Sequence, residues 1–329
     1  MKLLVLGGTV FLGRHVVEAA LAAGCEVTLL NRGNREPAFA APVEALRGDR
    51  DGDLSALRGR HFDAVVDCSG YTPQQLQRSA EALRDQVAHY VFVSTISVYA
   101  RFAPGVAYDE TAALTTSSEG YGGAKARAEE VIEAALPGRV TRVRPGLIVG
   151  PHDPTGRFTY WPLRRARGGT VLAPGRPQRP VQFIDVRDLA AWCVRLAMLH
   201  TVGVVHGVGP TGTMADLLDA CRQVCASGAR LVWHDDADLV RAGVAPWSGL
   251  PLWIPEADAC HGGMLLASNR RAIAAGLTTR PWMDTVRDTL IWARSVGPVA
   301  ASTVALTPEA EAALLGAAKQ LPVENPDTA

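Results

Sequence analysis

Lys2-Leu-Leu-Val-Leu-Gly-Gly-Thr-Val-Phe-Leu-Gly-Arg-His-Val-Val-Glu18 opens the chain and decides its fold. Leu3 to Leu6 is an uninterrupted apolar run of strand length, and from Phe11 to Ala23 apolar positions recur at helical spacing. A strand that is apolar throughout, rather than at alternate positions, is buried on both faces, as parallel strands covered by helices are. Gly7, Gly8 and Gly13 stand between the strand and the helix. Glycines there let backbone N–H groups approach an anion, and the helix N-terminus favours its negative charge.

The same alternation continues through the first half of the chain. Strand-like Val27 to Leu30 and Ala64 to Asp67 are followed by a helical pattern at Gln74 to Asp85. Strand-like Tyr90 to Ser94, a helical pattern at Tyr121 to Leu136 and strand-like Val140 to Val143 complete it. Such a series predicts an α/β fold, a doubly wound parallel sheet of the Rossmann type. In that setting the first turn is a dinucleotide site, with Gly7, Thr9, Phe11, Leu12 and Gly13 around an NAD(P) pyrophosphate. One departure stands out: Val10 occupies a place where the G-x-x-G-x-x-G pattern has a glycine.

Past Pro151 the alternation weakens and Pro, Gly and Trp accumulate, at Pro151 to Pro180 and again at Pro246 to Pro255. Between them Val181 to Ile184, a helix at Val186 to Leu199 and Gly203 to Val208 read as a return to the sheet. We therefore expect residues 1–150 with about 181–208 to form the nucleotide-binding domain. Residues 151–180 with about 209–320 then form a smaller, discontinuous substrate-binding region, and 321–329 a frayed tail. Helical patterns at Met214 to Cys225, Asn269 to Ala275, Trp282 to Ala293 and Glu309 to Ala318 supply the body of that second region.

Composition narrows the function classes. The 33 basic and 33 acidic residues cancel, so charge gives no pull towards nucleic acid or an anionic membrane, and a small-molecule substrate is expected. Six scattered cysteines (25, 68, 193, 221, 225 and 260) form no Cys-x-x-Cys pair, which points away from zinc and towards a reducing compartment. With a strand beginning directly after Met1 and no long apolar run, a cytoplasmic location is expected.

At the end of the second strand, Asn31-Arg32-Gly33 carries no carboxylate for the ribose hydroxyls. Arg32, with Arg14 as a second jaw, suits a 2′-phosphate, so NADP(H) is favoured over NAD(H). Asp49 and Arg50, after the third short strand, are placed to flank the adenine. Ser69 and Gly70, with Tyr71, follow the fourth strand and line the pyrophosphate or the substrate side.

Tyr121-Gly-Gly-Ala-Lys125 opens a helix with the two functional residues one turn apart. A nearby ammonium lowers a phenol's pKa and brings it towards proton transfer near neutral pH. Lysine occurs only at 2, 125 and 319, which makes the pairing specific. Val91-Phe-Val-Ser-Thr-Ile-Ser-Val-Tyr99 brings hydroxyls to the end of a strand that faces the nucleotide crevice. Thr95 is the residue expected to bond the substrate oxygen, with Ser94 as the alternative; Ser97 points away or caps the strand end.

These stretches, together with Arg144-Pro-Gly-Leu-Ile-Val-Gly-Pro151 and Phe183-Ile-Asp-Val-Arg-Asp-Leu189, resemble an extended or atypical short-chain dehydrogenase/reductase, close to the NAD-dependent epimerase/dehydratase family. The resemblance implies that Tyr121 donates or accepts the proton, Lys125 holds the nicotinamide ribose and Thr95, commonly Ser, completes a triad. It also implies that Pro145, Leu147 and Ile148 lie beside the nicotinamide and that the protein can form a homodimer. The glycine turn, with Val10 and with Arg14-His15 after its last glycine, resembles an atypical subgroup of mixed functions. The activity expected is carbonyl or imine reduction on a small metabolite with NADP(H). Its alternatives are epimerisation or dehydration with tightly held NAD, and a non-catalytic dinucleotide-sensing or RNA-associated role. Phe158, Trp161 and Gln182, with Tyr71, are the candidate substrate contacts, as pocket walls are mostly apolar.

Overall fold

The computed structural model describes residues 1–34, 39–297 and 305–317. In chain order the first part of the chain comprises β1 (Lys2–Leu6), α1 (Leu12–Ala22), β2 (Glu26–Asn31), β3 (Glu44–Arg47), β4 (Phe62–Asp67) and α2 (Pro73–Leu83). It continues with β5 (Val87–Val93), α3 (Gly120–Ala135) and β6 (Val140–Pro145). Beyond it come β7 (Ile148–Val149), α4 (Tyr160–Ala166), β8 (Thr170–Pro174), β9 (Pro180–Gln182), β10 (Ile184–Asp185), α5 (Val186–Met198), β11 (Gly203–Gly207) and β12 (Thr211–Thr213). The chain then forms α6 (Met214–Cys225), β13 (Arg230–His234), α7 (Asp236–Arg241), α8 (Arg270–Ala274), α9 (Trp282–Ser295) and α10 (Pro308–Ala317).

Seven strands make one sheet in the order β11-β6-β5-β4-β1-β2-β3, every pair parallel. The order reverses at β1, so the crevice beyond the carboxyl ends of β1 and β4 is where such a sheet takes its ligand. Leu3, Leu4, Val5 and Leu6 are at most 1% exposed, and alternate residues feed opposite cores. Leu3 and Val5 join Val16, Val17, Leu189 and Ala190 of α1 and α5, whereas Leu4 and Leu6 join Leu76, Leu83, Ala128 and Ile132 of α2 and α3. Each such side chain contributes about 1.5–3 kcal/mol by leaving water. Helices on both faces therefore follow from the apolar strand itself.

The second region has its own core, built on Phe158, Trp161, Leu217, Leu218, Trp253 and Val286, with α4, α6 and α9 around it. It is held to α10 by Glu311, which accepts from Arg164 at 2.7 Å and from the Leu172 N–H at 3.0 Å. One expectation changes. The stretch 181–184 does not join the main sheet: β9 pairs antiparallel with β12, and β10 pairs with β7. The break falls at Phe183, whose carbonyl packs so closely on Gly209 that a Cβ there would sit 2.3 Å from it. The expected tail 321–329, and Ala318 of the last predicted helix, lie outside the described residues.

Candidate active site

The glycine turn is shaped by contacts that exclude side chains. A Cβ on Gly13 would lie 2.1 Å from the Gly7 carbonyl oxygen, and one on Gly7 would lie 2.5 Å from the Cβ of Ser69. Gly7 also has φ +84°, the left-handed region that glycine adopts without penalty. Helix α1 starts at Leu12 with no side-chain cap from Phe11 and no acidic residue in its first turn. The first N–H groups of the helix thus have no capping oxygen and no competing negative charge, which suits a phosphate. Thr9 is half-buried and Val10 is exposed at the mouth of this turn.

At the end of β2, Asn31 accepts from the Gly33 N–H at 2.6 Å and forms an Asx-turn, while Arg32 is exposed. Arg14 turns to Glu18 on its own helix at 3.0 Å, so the two-arginine jaw expected from the sequence is not formed. Asp49 is exposed and accepts from the Asp51 N–H at 3.0 Å. Arg50 does not stand free beside an adenine site. It is 8% exposed and clamped on Asp67 by two hydrogen bonds of 2.6 and 2.7 Å, with further bonds to Ser79 and Ser69. A buried guanidinium needs a carboxylate, and Asp67 at the end of β4 supplies it.

Lys125, 3% exposed, reaches the carboxyl ends of β4 and β5 and donates to the carbonyls of Gly70 and Val93, each at 2.7 Å. It lies over the rings of Phe92 and Tyr71, at 4.6 and 5.5 Å. Burial pushes its pKa down to about 8, against the opposing pull of Asp67. The phenol of Tyr121 is instead raised above its ordinary value, chiefly by desolvation where its partly covered side chain meets the protein; the nearby Thr95 hydroxyl pulls the other way, and Tyr71 adds to the rise. The expected lowering by Lys125 is not among these effects, because the ammonium is turned to the two carbonyls. Thr95 sits at the end of β5, where its Oγ1 also accepts from the Ser97 N–H at 3.1 Å and donates to the Ser97 hydroxyl at 3.2 Å. The neighbouring Ser94 is buried, and its Oγ has no hydrogen-bond partner among the described residues. Pro145 ends β6, and Leu147 and Ile148 come directly after it at the same end of the sheet, with the Leu147 carbonyl accepting from the Ile184 N–H at 2.9 Å.

The structure brings the glycine turn, Ser69, Gly70, Tyr71, Thr95, Tyr121 and Lys125 to one crevice. It does not bring the other substrate candidates to its wall. Phe158 and Trp161 are wholly buried in the second core, Trp161 donating to the Pro251 carbonyl at 3.1 Å. Gln182 is 3% exposed, and its amide is consumed by Gly209, Thr211 and Ala267. Asp153, beside His152, bonds Thr155.

Two buried polar groups beneath the site escaped the sequence reading. One is Arg50–Asp67, joined by Tyr90, whose hydroxyl donates to Asp67 at 2.7 Å. The other runs from Glu129 through Arg144 and Tyr99 to His206, with spacings of 2.6, 2.9 and 2.5 Å. The available signal was a charge inside an apolar strand, as at Asp67 and Arg144. Among the described residues no cluster of His, Cys, Asp and Glu could hold a metal, and no helix is long and apolar enough to cross a membrane.

The family model for the NAD dependent epimerase/dehydratase family matches residues 3–205, more than half of the chain. The chain belongs to this epimerase/dehydratase family. Solved structures similar to it include the Bordetella bronchiseptica enzyme WbmH in complex with NAD+, 18% identical, with 90% of this chain and 99% of that one covered and a TM-score of 0.67. Another is the Thermus thermophilus UDP-glucose 4-epimerase in complex with NAD, 21% identical, covering 90% and 100% of the two chains with a TM-score of 0.64. At such identities the likeness is one of fold. A chloroplast stem-loop binding protein of 41 kDa from Arabidopsis thaliana is 28% identical over 220 residues, 61% of this chain and 55% of that protein. This family member therefore spans little more than half the length of that relative.

Proposed function

We propose that the protein is an NAD-dependent enzyme that oxidises an alcohol carbon of a hydroxylated small molecule and reduces it again within one cycle, as an epimerase or dehydratase does. A nucleotide-activated sugar is the first substrate class to test, since similar folds include a UDP-glucose 4-epimerase bound to NAD. The observation that carries the reading is the seating of Lys125 on the Gly70 and Val93 carbonyls, at the end of the strand that leads into Thr95, with Tyr121 one turn before it on α3.

The fit to a dinucleotide rests on the turn: glycines that a Cβ would jam against Gly7 and Ser69, and a helix start with neither cap nor acid. Gly7, Thr9, Phe11, Leu12 and Gly13 would hold the pyrophosphate, Asn31 and Arg32 the adenosine ribose, and Lys125 with the Pro145 to Ile148 turn the nicotinamide side. When bound, NAD would supply the hydride-accepting nicotinamide ring and its positive charge. Thr95 then bonds the substrate oxygen and orients it, and Tyr121 exchanges the proton of that hydroxyl. A phenol is protonated near neutral pH, so Tyr121 is set as the donor for the return step; desolvation raises its pKa further and the nearby Thr95 hydroxyl works the other way. Lys125 fixes the floor of the site through Gly70 and Val93.

A second reading, net carbonyl reduction with exchangeable NADP(H), is favoured by the exposed Arg32 where an acid is usual. Equal numbers of basic and acidic residues, 33 each, argue against a nucleic-acid partner. The test is incubation of the protein with NAD and a panel of nucleotide sugars, with product analysis by NMR. Epimerised or dehydrated sugar without accumulating NADH supports internal redox; stoichiometric consumption of NADPH with a carbonyl substrate supports the second reading instead.

A further inference from the structure

The Arg50–Asp67 pair lies under the crevice and touches both halves of the site at once. Asp67 accepts from the Ser69 N–H at 3.0 Å, and Arg50 donates to the Ser69 hydroxyl at 3.3 Å. Ser69 is the residue against which Gly7 of the dinucleotide turn closes. On the next residue, a Cβ on Gly70 would lie 2.9 Å from Asp67 Oδ2 and 3.0 Å from the Phe92 ring, so this bend has no room to move sideways. The Gly70 carbonyl, in turn, takes the ammonium of Lys125. Tyr90 and Ser79 complete the shell around the pair.

We propose that Arg50 and Asp67 are positioning residues: they lock the Ser69–Gly70 bend so that one side seats the dinucleotide turn and the other seats the Lys125 ammonium. The proposal deepens the reading above and rests on its dinucleotide crevice. A pair serving stability alone could sit anywhere in the core; here each charge bonds the backbone or side chain of the bend itself. The charged and titratable groups facing Lys125 are Asp67, Arg50, Cys68 and Glu129. Asp67 favours the ammonium and Arg50 opposes it, with Asp67 the larger influence.

Lysine occurs at only three positions, so the 13Cε signal of Lys125 can be followed by NMR in protein labelled on lysine, without substrate. Two variants are compared, Asp67→Asn and the paired Arg50→Met/Asp67→Leu, the latter because replacing both members of a buried pair by apolar groups commonly preserves the fold. The proposal expects the Lys125 titration midpoint to fall below its parent value in both. It also expects dinucleotide affinity to weaken by about tenfold, the scale of one lost hydrogen bond, while far-UV circular dichroism of the paired variant stays native. A folded paired variant with the parent Lys125 midpoint and the parent affinity overturns the proposal. Should neither variant fold, the unmodified protein decides. The Ser69 amide must then exchange as slowly as the amides of strand β4, and exchange at the rate of an open loop overturns the proposal. A parent protein that binds no dinucleotide would sink the functional reading instead, while leaving the Lys125 and Ser69 results to stand or fall by themselves.

Discussion

Lys125 donates to the carbonyl of Gly70 at 2.7 Å across 55 positions of sequence. This one bond ties helix α3 to the bend after β4, and through Ser69 to the glycine turn after β1. Three separate segments thereby act as one crevice wall.

Replacing Tyr121 by Phe removes the hydroxyl proposed to move the proton and little else, since the residue is 53% exposed. Turnover of an identified substrate is expected to fall about a hundred- to ten-thousand-fold, with NAD affinity within a few-fold of the parent. Steady-state rates beside a binding titration check it; full turnover in the variant contradicts the role.

Thr95→Val keeps the shape of the buried residue but removes its hydroxyl, whereas Thr95→Ser keeps the hydroxyl and removes a methyl. The valine variant is expected to lose about a hundredfold or more in kcat, as loss of a donor to a developing oxyanion does, and the serine variant to stay near the parent. Equal rates in the two would assign Thr95 to packing.

Gly13→Ala puts a methyl 2.1 Å from the Gly7 carbonyl oxygen and 2.8 Å from the Gly8 Cα. Overpacking of this kind costs about 1–3 kcal/mol, so a lowered Tm is expected together with loss of dinucleotide binding. Chemical denaturation and calorimetric titration of the same sample separate the two effects.

His89 gives the stability a pH dependence. Its ring is 1% exposed, bonded to the Thr141 hydroxyl at 2.7 Å and stacked on His200 at 5.3 Å. Burial lowers its pKa from 6.5 to about 4. Below pH 6.5 the unfolded chain takes up a proton that the folded state refuses, so stability is full above that pH and declines as pH falls towards 4. The loss by pH 5 is about 2 kcal/mol. Thermal unfolding at pH 7 and pH 5 measures it, and His89→Asn should flatten that part of the profile.

The parallel sheet was legible because Leu3 to Leu6 and Tyr90 to Val93 are apolar at every position, and such strands have one stable setting. The turn at Gly7 and Gly13, and the helix that sets Tyr121 and Lys125 one turn apart, were legible from spacing; that Lys125 would turn to the Gly70 and Val93 carbonyls was not. What was not legible depended on partners far away in the sequence. Arg50 reads as a residue flanking the adenine until Asp67 is seen behind it, and Gln182 reads as a substrate contact until Ala267 consumes its amide. Phe158 and Trp161 could not be assigned to pocket or core, since apolar side chains serve both, and the fold sends them to the core.

An internal redox cycle takes hydride from the substrate and returns it within the crevice, with Tyr121 moving the proton. It is tested most directly by rapidly mixing NAD-loaded protein with a nucleotide sugar and following the near-ultraviolet absorbance of reduced nicotinamide. A transient rise that decays as product forms, and that is absent in Tyr121→Phe, is the expected result. Reduced cofactor that accumulates steadily, or a transient that survives unchanged in Tyr121→Phe, would contradict it.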